Sequence, residues 1–153
     1  MRTKIPIYHQ KAEAVAGIFV LHLTTAEAEN HLQNVPAHRD DFFNFFILLK
    51  GRAVMKCDMV DIEIIAPSAI IVKPFQIHSP QELSADATGY YISAAPFIIP
   101  NSCFEVFQNL KITEQAFKII PSIQKELLDT VSILYLSFTN NNRNKAQIIH
   151  GLF

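Results

Sequence analysis

The stretch "HRDDFFNFFILLKG", residues 38–51, decides the fold of this chain. Its run of aromatic and aliphatic residues is too short for a typical helix, and Lys50-Gly51 ends the run with a turn signal. The pattern therefore predicts a β-strand. Successive side chains of a strand point to opposite faces, and both faces here are apolar, so both must be covered. The two sets are Phe43, Phe45, Ile47 and Leu49 on one face, and Phe42, Asn44, Phe46 and Leu48 on the other.

Further β-rich segments lie on both sides of this strand. A short segment at residues 17–23 precedes it, and the polar run 24–34 between them predicts a loop or a short helical turn. After Gly51, a strand near residues 52–57 and a second strand near 62–64 predict a hairpin. Short strands also follow in "SAIIVKP" and "TGYYISAAPF", with "FQIHSPQEL" between them as a loop or strand edge. Five or six strands at such spacings indicate a sandwich or a barrel.

The pattern changes to a helical one after residue 100. "NSCFEVFQNL" predicts a short helix with Asn101 or Ser102 as its N-cap. Residues 121–138 predict a long helix whose first turn holds Pro121, and "KAQIIHGLF" begins another helical pattern. We therefore expect a mainly β chain in which residues 1–100 form the barrel and residues 101–153 form helices packed on it.

Composition narrows the functional class. The chain has 153 residues, about one domain, and half of them are apolar. Thirteen basic against fourteen acidic side chains give a net charge of −1, without the basic excess of a nucleic-acid-binding module. No apolar run reaches the roughly 18 residues of a membrane span, and no secretory signal pattern opens the chain, so we expect a cytoplasmic protein. Cys57 and Cys103 predict two reduced, packed thiols, with one bridge left open as the alternative.

Polar residues of the opening stretch fall in one strand phase. His38, Asp40 and Asn44 follow the spacing H-x-D-x3-N, six residues then lead to Gly51, and His78 comes later. Even-numbered positions on an extended strand share a face, so His38, Asp40, Asn44, Phe46 and Leu48 would line one surface, the interior of a barrel. The alternative for His38 and His78 is a structural role, in which each histidine hydrogen-bonds to the backbone.

These motifs resemble the cupin superfamily, whose first motif is H-x-H-x3-4-E-x6-G and whose second motif ends in a histidine. More closely, "HRDDFFNFFILLKG", "APSAIIVKPFQIHSP" and "ELSADATGYYIS" resemble the N-terminal sensor domain of AraC-type transcription regulators. The resemblance covers roughly residues 36–95. It implies a cupin-like barrel, a double-stranded β-helix or jelly roll, followed by two or three C-terminal helices.

The resemblance also implies a non-catalytic domain that binds a small-molecule effector, by family analogy a sugar, and controls DNA binding. DNA would be bound by a C-terminal helix-turn-helix domain that these 153 residues do not contain; the abrupt end of the last helical pattern agrees with this expectation. The residues expected to bind the ligand are His38, Arg39, Asn44, Phe46, His78 and Tyr90. A homodimer is expected through the long helix, with Ile123, Leu127, Leu128, Val131, Leu134, Tyr135 and Phe138 as its contact residues.

The departures from the cupin pattern argue against a metal or other cofactor. Asp40 stands where a metal-binding cupin has its second histidine, and Asn44 stands where it has glutamate. A neutral amide is a poor ligand for Zn or Fe beside imidazoles. Two rival hypotheses stay open. One is a metal-dependent cupin enzyme, an isomerase or dioxygenase, with His38, Asp40 and His78 as ligands; the other is an oligomerising scaffold with a filled barrel and no ligand.

Overall fold

Two antiparallel sheets face each other in the computed structural model, which describes residues 4–24 and 35–153. Within these residues the chain forms ten strands. They are β1 (Ile7–Tyr8), β2 (Ile18–Leu23), β3 (Arg39–Asp40), β4 (Phe43–Lys50), β5 (Arg52–Cys57), β6 (Val60–Ile65), β7 (Ser68–Val72), β8 (His78–Leu83), β9 (Thr88–Ala94) and β10 (Ala116–Lys118). Apart from Thr24, the predicted loop or helical turn at 24–34 lies outside the described residues.

The strands divide unequally between the sheets. The larger sheet has the order β10-β7-β4-β9-β2, and the smaller has the order β6-β5-β8. The pair β1 and β3 is parallel and separate from both. The predicted hairpin is confirmed, because β5 and β6 pair in register from Arg52 opposite Ile65 to Cys57 opposite Val60. Gly51 makes the turn from β4 to β5 at a φ of +85°, a conformation that glycine adopts without strain.

Strand β4 is central in the larger sheet, and the prediction that both of its faces are covered is confirmed. Phe46 and Leu48 face the smaller sheet in an apolar cluster with Met55, Cys57 and Ile64. The opposite face packs against helices through the alternate residues of the strand. These are Phe43, Phe45, Ile47 and Leu49.

The helices follow the first nine strands, as the sequence predicts, but the segment after residue 100, expected to be helical, also contains strand β10, which pairs with β7. The helices are α1 (Asn101–Asn109), α2 (Pro121–Thr139) and α3 (Lys145–Leu152), with short 3₁₀ turns at Pro96–Ile98 and Ile112–Glu114. The N-cap prediction for α1 is wrong: the cap position is Pro100, and no side chain caps the helix. None of the described helices combines the length and hydropathy that a membrane span requires. The mainly β fold class with C-terminal helices is confirmed.

The apolar stripe of helix α2 packs against strands of the same chain. Val131, Leu134 and Phe138 are buried in a cluster with residues of β2, β4 and β9, and Leu127 and Tyr135 pack against that cluster. These five residues were expected at a dimer interface. Within the chain they pack on the outer face of the larger sheet, and their role between two copies of the chain stays a prediction. Ile123 and Leu128 lie outside the cluster, and Ile123 is 47% exposed.

The two cysteines are free thiols, as the sequence predicts. Cys57 is fully buried between the sheets, where burial raises the pKa of its thiol to about 12. A thiol with so high a pKa stays protonated and behaves as a small apolar group.

Candidate functional site

The space between the two sheets is a cavity of about 420 Å³. Most of its wall is apolar, because the interior faces of β4, β5, β6 and β8 supply aliphatic and aromatic side chains. Among them are Phe46, Leu48, Met55, Ile64 and Leu83. A volume of this size lies within the range of small-molecule sites in proteins.

A polar cluster forms one part of this wall. It consists of His38, Asp40, Asn44 and His78, all of them buried. Short β3 and the start of β4 supply Asp40 and Asn44, while His78 opens β8. The backbones of His38 and His78 exchange two hydrogen bonds, at 3.1 and 2.9 Å. This bridge brings the two imidazole centres to 4.3 Å. The sequence predicts that His38, Asp40 and Asn44 share one interior surface, and the structure brings them together with His78 from β8.

Backbone hydrogen bonds fix the tautomer of each histidine. The Nδ1 of His38 lies 2.8 Å from the carbonyl oxygen of Pro36, and the Nδ1 of His78 lies 3.0 Å from that of Gln76. A carbonyl oxygen can only accept, so each Nδ1 carries a proton and each neutral ring keeps its lone pair on Nε2. Both Nε2 atoms face Asp40, at 3.7 Å for His38 and 3.3 Å for His78. Each histidine therefore hydrogen-bonds to the backbone through Nδ1, as the structural alternative predicts, and still has Nε2 as an atom that can contact a ligand.

Burial favours the neutral form of His38. It lowers the pKa of His38 below the ordinary value, and the nearby charge of His78 acts in the same direction. The hydrogen bond to Pro36 and the charge of Asp40 act against this shift without reversing it. A neutral His38 presents an acceptor to the cavity.

Asn44 is held at both ends of its amide. Its Nδ2 donates to Oδ2 of Asp40 at 2.6 Å, and its Oδ1 accepts from the hydroxyl of Tyr91 at 2.6 Å. Burial, followed by the charge of Asp40, raises the pKa of Tyr91, so the hydroxyl stays protonated and can donate. These bonds fix the orientation of the Asn44 amide, whose Nδ2 donates to Asp40.

Tyr91, and not Tyr90, supplies the interior hydroxyl. Tyr91 pairs with Phe46 across the β4–β9 ladder, whereas Tyr90 pairs with Ile47 on the helix-facing side. The Tyr90 hydroxyl lies 3.2 Å from Oγ of Ser132 in α2. Tyr90 also borders the cavity, but its hydroxyl contacts Ser132, so a contact between that hydroxyl and a ligand stays a prediction. The sequence shows that the two tyrosines diverge, but the choice between them depends on strand register.

The other two predicted ligand residues differ in position. Phe46 lines the cavity, with its ring centre 4.9 Å from that of Tyr91. Arg39 directs its guanidinium to the carbonyl oxygen of Phe75, at 2.6 Å, which leaves it beside the cluster rather than within it. Tyr8 was not predicted at all, yet it stacks on the His38 ring with 4.7 Å between ring centres.

A buried amide pair supports the loop before β8. The side chains of Gln76 and Gln115 exchange hydrogen bonds at 2.8 and 2.7 Å, and Gln76 also donates to Asp58. The backbone carbonyl of Gln76 is the acceptor for His78. Gln115, which is fully buried, precedes β10 and thus links the site to the segment that enters α2. Nothing in the sequence indicates this pairing, because the two residues are 39 positions apart.

His38, Asp40 and His78 have the chemistry of a metal site. Each offers one ligand atom, and these atoms lie within 4.8 Å of one another. The bonds from Nδ1 to backbone carbonyls orient both rings in the way that outer partners orient metal-bound histidines. Two imidazoles and a carboxylate suit a divalent transition metal, so these residues fit one. Both ends of the Asn44 amide are hydrogen-bonded, to Asp40 and Tyr91, so Asn44 is not counted among these ligands. The absence of a metal, expected from the sequence, stays a prediction.

No protein-family model and no curated protein matches the chain. Solved structures of similar shape include a predicted oxalate decarboxylase from Thermotoga maritima, with 17% identity over 51% of this chain and 80% of that one, at a TM-score of 0.37. A cupin 2 conserved barrel domain protein from Salinispora arenicola has 15% identity over 44% of this chain and 53% of its own, at a TM-score of 0.31.

The ToxT protein of Vibrio cholerae, an AraC-family regulator, is similar over 89% of this chain and 52% of its own, with 15% identity and a TM-score of 0.49. This chain thus spans about half the length of ToxT and of the Salinispora protein. Cupin barrels and AraC-type regulators are the two groups that the sequence motifs resemble. At these identities the likeness concerns the fold, and a shared activity does not follow from it.

Proposed function

We propose that this chain is a sensor domain that binds a small molecule in the barrel and has no catalytic role of its own. The observation that supports this most is the cavity of about 420 Å³, which is largely apolar and has one ordered polar cluster. Such a combination is typical of ligand sites, where an apolar wall supplies affinity and a few polar groups fix orientation.

The sheet offers a route from the cavity to the helices. Tyr91 faces the cavity and its neighbour Tyr90 reaches Ser132 of α2, so a small movement of β9 acts on both sides. On the other side of the sheet, Gln76 and Gln115 join the loop of His78 to the segment before α2. Ligand binding would therefore bias the position of α2.

We further propose that this sensor belongs to an AraC-type regulator, on the strength of the three ordered sequence motifs. In that case DNA binding resides in a C-terminal domain outside these 153 residues, and a cytoplasmic location remains the expectation. A homodimer is also proposed, with its surface revised: Phe117, Ile120 and Ile123 are 47%, 54% and 47% exposed where β10 leads into α2. A second copy of the chain would cover these residues.

The lining of the cavity supports a ligand chemistry different from the sugar expected by family analogy. A sugar presents hydroxyl groups on all sides and requires many polar partners. Here the polar side chains gather around Asp40, while Phe46, Leu48 and Met55 line much of the remaining wall. A ligand with an apolar body and one polar end fits this cavity better than a sugar does.

A thermal-shift screen of small metabolites tests the sensor proposal. Wild type is compared with Ala53→Phe, which fills the cavity from β5, and with Val106→Phe, a matched control on an exposed position of α1. The proposal expects a compound that raises the melting temperature of wild type and Val106→Phe but not of Ala53→Phe. Equal stabilisation of all three proteins would contradict binding in the barrel.

A metal-dependent cupin enzyme is the second candidate function, and the convergence of His38, Asp40 and His78 favours it. These residues would hold a divalent metal, which would supply Lewis acidity at the polar end of the cavity. Elemental analysis of protein purified without added metal tests this candidate. One equivalent of Zn, Fe or Mn that is lost in the double variant His38→Ala, His78→Ala would support it, and metal-free protein would count against it.

The third reading, a scaffold with a filled barrel, predicts no interior space. The cavity of about 420 Å³ does not favour it.

A further inference from the structure

The polar cluster turns acceptors toward the cavity. The Nδ1–H groups of His38 and His78 are directed at backbone carbonyls, the hydroxyl of Tyr91 donates to Asn44, and Asn44 in turn donates to Asp40. Because both Nδ1 atoms are used by the backbone, Nε2 is the ring atom that each histidine has left for a ligand. The two Nε2 atoms lie 3.7 and 3.3 Å from oxygens of Asp40, so two imidazole nitrogens and a carboxylate converge on one part of the cavity wall, where a positively charged donor would be stabilised.

The spacing of these acceptors suits one nitrogen. The three ligand atoms of His38, Asp40 and His78 lie within 4.8 Å of one another. A single point can therefore lie about 2.8 Å from all three, the length of an ordinary hydrogen bond. A primary ammonium carries three N–H donors and a positive charge, so it can satisfy all three acceptors at once.

Aromatic rings border the same acceptors. The ring of Tyr8 stacks on His38 with 4.7 Å between centres, and Tyr91 is bonded to Asn44 beside Asp40. Both tyrosines line the cavity. Aromatic faces attract cations through their quadrupole, and the attraction grows when the cation is removed from water.

We propose that the barrel takes a primary amine with an apolar body, whose ammonium group binds His38 Nε2, Asp40 and His78 Nε2. This inference rests on the sensor function proposed above and specifies its ligand class. The aliphatic and aromatic wall beyond the cluster, which includes Leu48 and Met55, holds the apolar body. Lys11 also lines the cavity, with its ammonium 4.7 Å from the centre of the Phe19 ring, so a carboxylate ligand is the rival that the test must separate.

The test uses three probes with one alkyl chain and different head groups: hexylamine, 1-hexanol and hexanoate. Protein dialysed against EDTA is titrated with each by calorimetry at neutral pH. Hexylamine is expected to bind roughly tenfold or more tightly than 1-hexanol, and hexanoate least tightly, because charge-assisted hydrogen bonds favour the ammonium. Asp40→Asn should weaken hexylamine roughly 10- to 100-fold and change 1-hexanol little. Asp61→Asn, a matched loss of charge on β6 where Asp61 pairs with Lys56, should change neither.

The outcomes separate the ligand class from the sensor function. Hexanoate binding as tightly as hexylamine, or an Asp40→Asn protein that keeps the preference for the amine, would overturn the amine proposal and leave the cavity as a ligand site. Tight Zn²⁺ binding that creates affinity for hexanoate would identify a metal centre and also overturn it. Failure of all three probes to bind would count against both proposals. If Asp40→Asn does not fold, the affinities of the wild type alone test the amine proposal: tighter binding of hexylamine than of hexanoate supports it, and equal binding overturns it.

Discussion

Replacing Asn44 with leucine probes the polar cluster through a residue of nearly the same size. Asn44 is 1% exposed, and its amide bonds Asp40 and Tyr91 at 2.6 Å each. Leucine removes one neutral hydrogen bond and one bond to a charged oxygen, and it leaves both partners buried without that bond. The neutral bond contributes about 1 kcal/mol and the charge-assisted bond about 2 kcal/mol, so we expect a loss of about 3 kcal/mol in the free energy of unfolding.

The assay is urea denaturation at neutral pH, with Asn141→Leu as the matched control at an exposed loop position. The control should change the free energy of unfolding by no more than about 0.5 kcal/mol. Tyr91→Phe alone should lower the free energy of unfolding by about 1 kcal/mol, because it removes the hydrogen bond from Tyr91 to Asn44 and leaves the bond from Asn44 to Asp40 intact. The double variant should cost about 1 kcal/mol less than the sum of the single variants, since both lose the same bond.

A loss below about 1 kcal/mol for Asn44→Leu would refute the reasoning, and so would simple additivity with Tyr91→Phe. The first result would mean that the two bonds to Asn44 contribute little to stability, and the second that the bond from Tyr91 to Asn44 does not.

Three further predictions concern pH, packing and assembly. The pKa of His38 is lower in the folded chain than in the unfolded chain, so the unfolded chain binds more protons below about pH 6.5. The free energy of unfolding should therefore fall as the pH drops from there toward the lowered pKa. His38→Gln should flatten this dependence in urea titrations at several pH values. Phe43→Ala should lower the free energy of unfolding by about 3–5 kcal/mol because Phe43 is fully buried among three other phenylalanines, whereas Phe97→Ala at an 81% exposed site should have little effect in the same assay. Sedimentation should show a dimer that Ile123→Glu converts to monomer, and a wild-type monomer at high concentration would contradict the proposed interface.

The central strand could be predicted from its sequence because its pattern is local. The alternation of Phe43, Phe45 and Ile47 with Asn44 and Phe46 determines which side chains share a face, whatever the strand pairs with. The long helix was predictable for the same reason, since its apolar spacing follows the helical period. The phase of β4 predicts the interior position of Asn44, and its extension to residues 38 and 40 predicts that of His38 and Asp40, whereas His78 lies on β8.

Features that depend on distant partners could not be predicted. The choice of Tyr91 over Tyr90 depends on how β9 pairs with β4. The apolar stripe of α2 indicates that something covers it, but the periodicity does not say whether a second copy or the larger sheet does so. Strand β10 is three residues long and exists through pairing with β7. The amide pair of Gln76 and Gln115 likewise depends on tertiary contact.

Native mass spectrometry tests the central claim, that the barrel cavity binds one small molecule. Wild type and Ala53→Phe are each incubated with an extract of cellular metabolites, freed of excess compounds by gel filtration and sprayed under native conditions. We predict one added small molecule per wild-type chain and none on Ala53→Phe, whose new side chain occupies the cavity. A wild-type chain without an added mass, or the same added mass on both proteins, would contradict the claim.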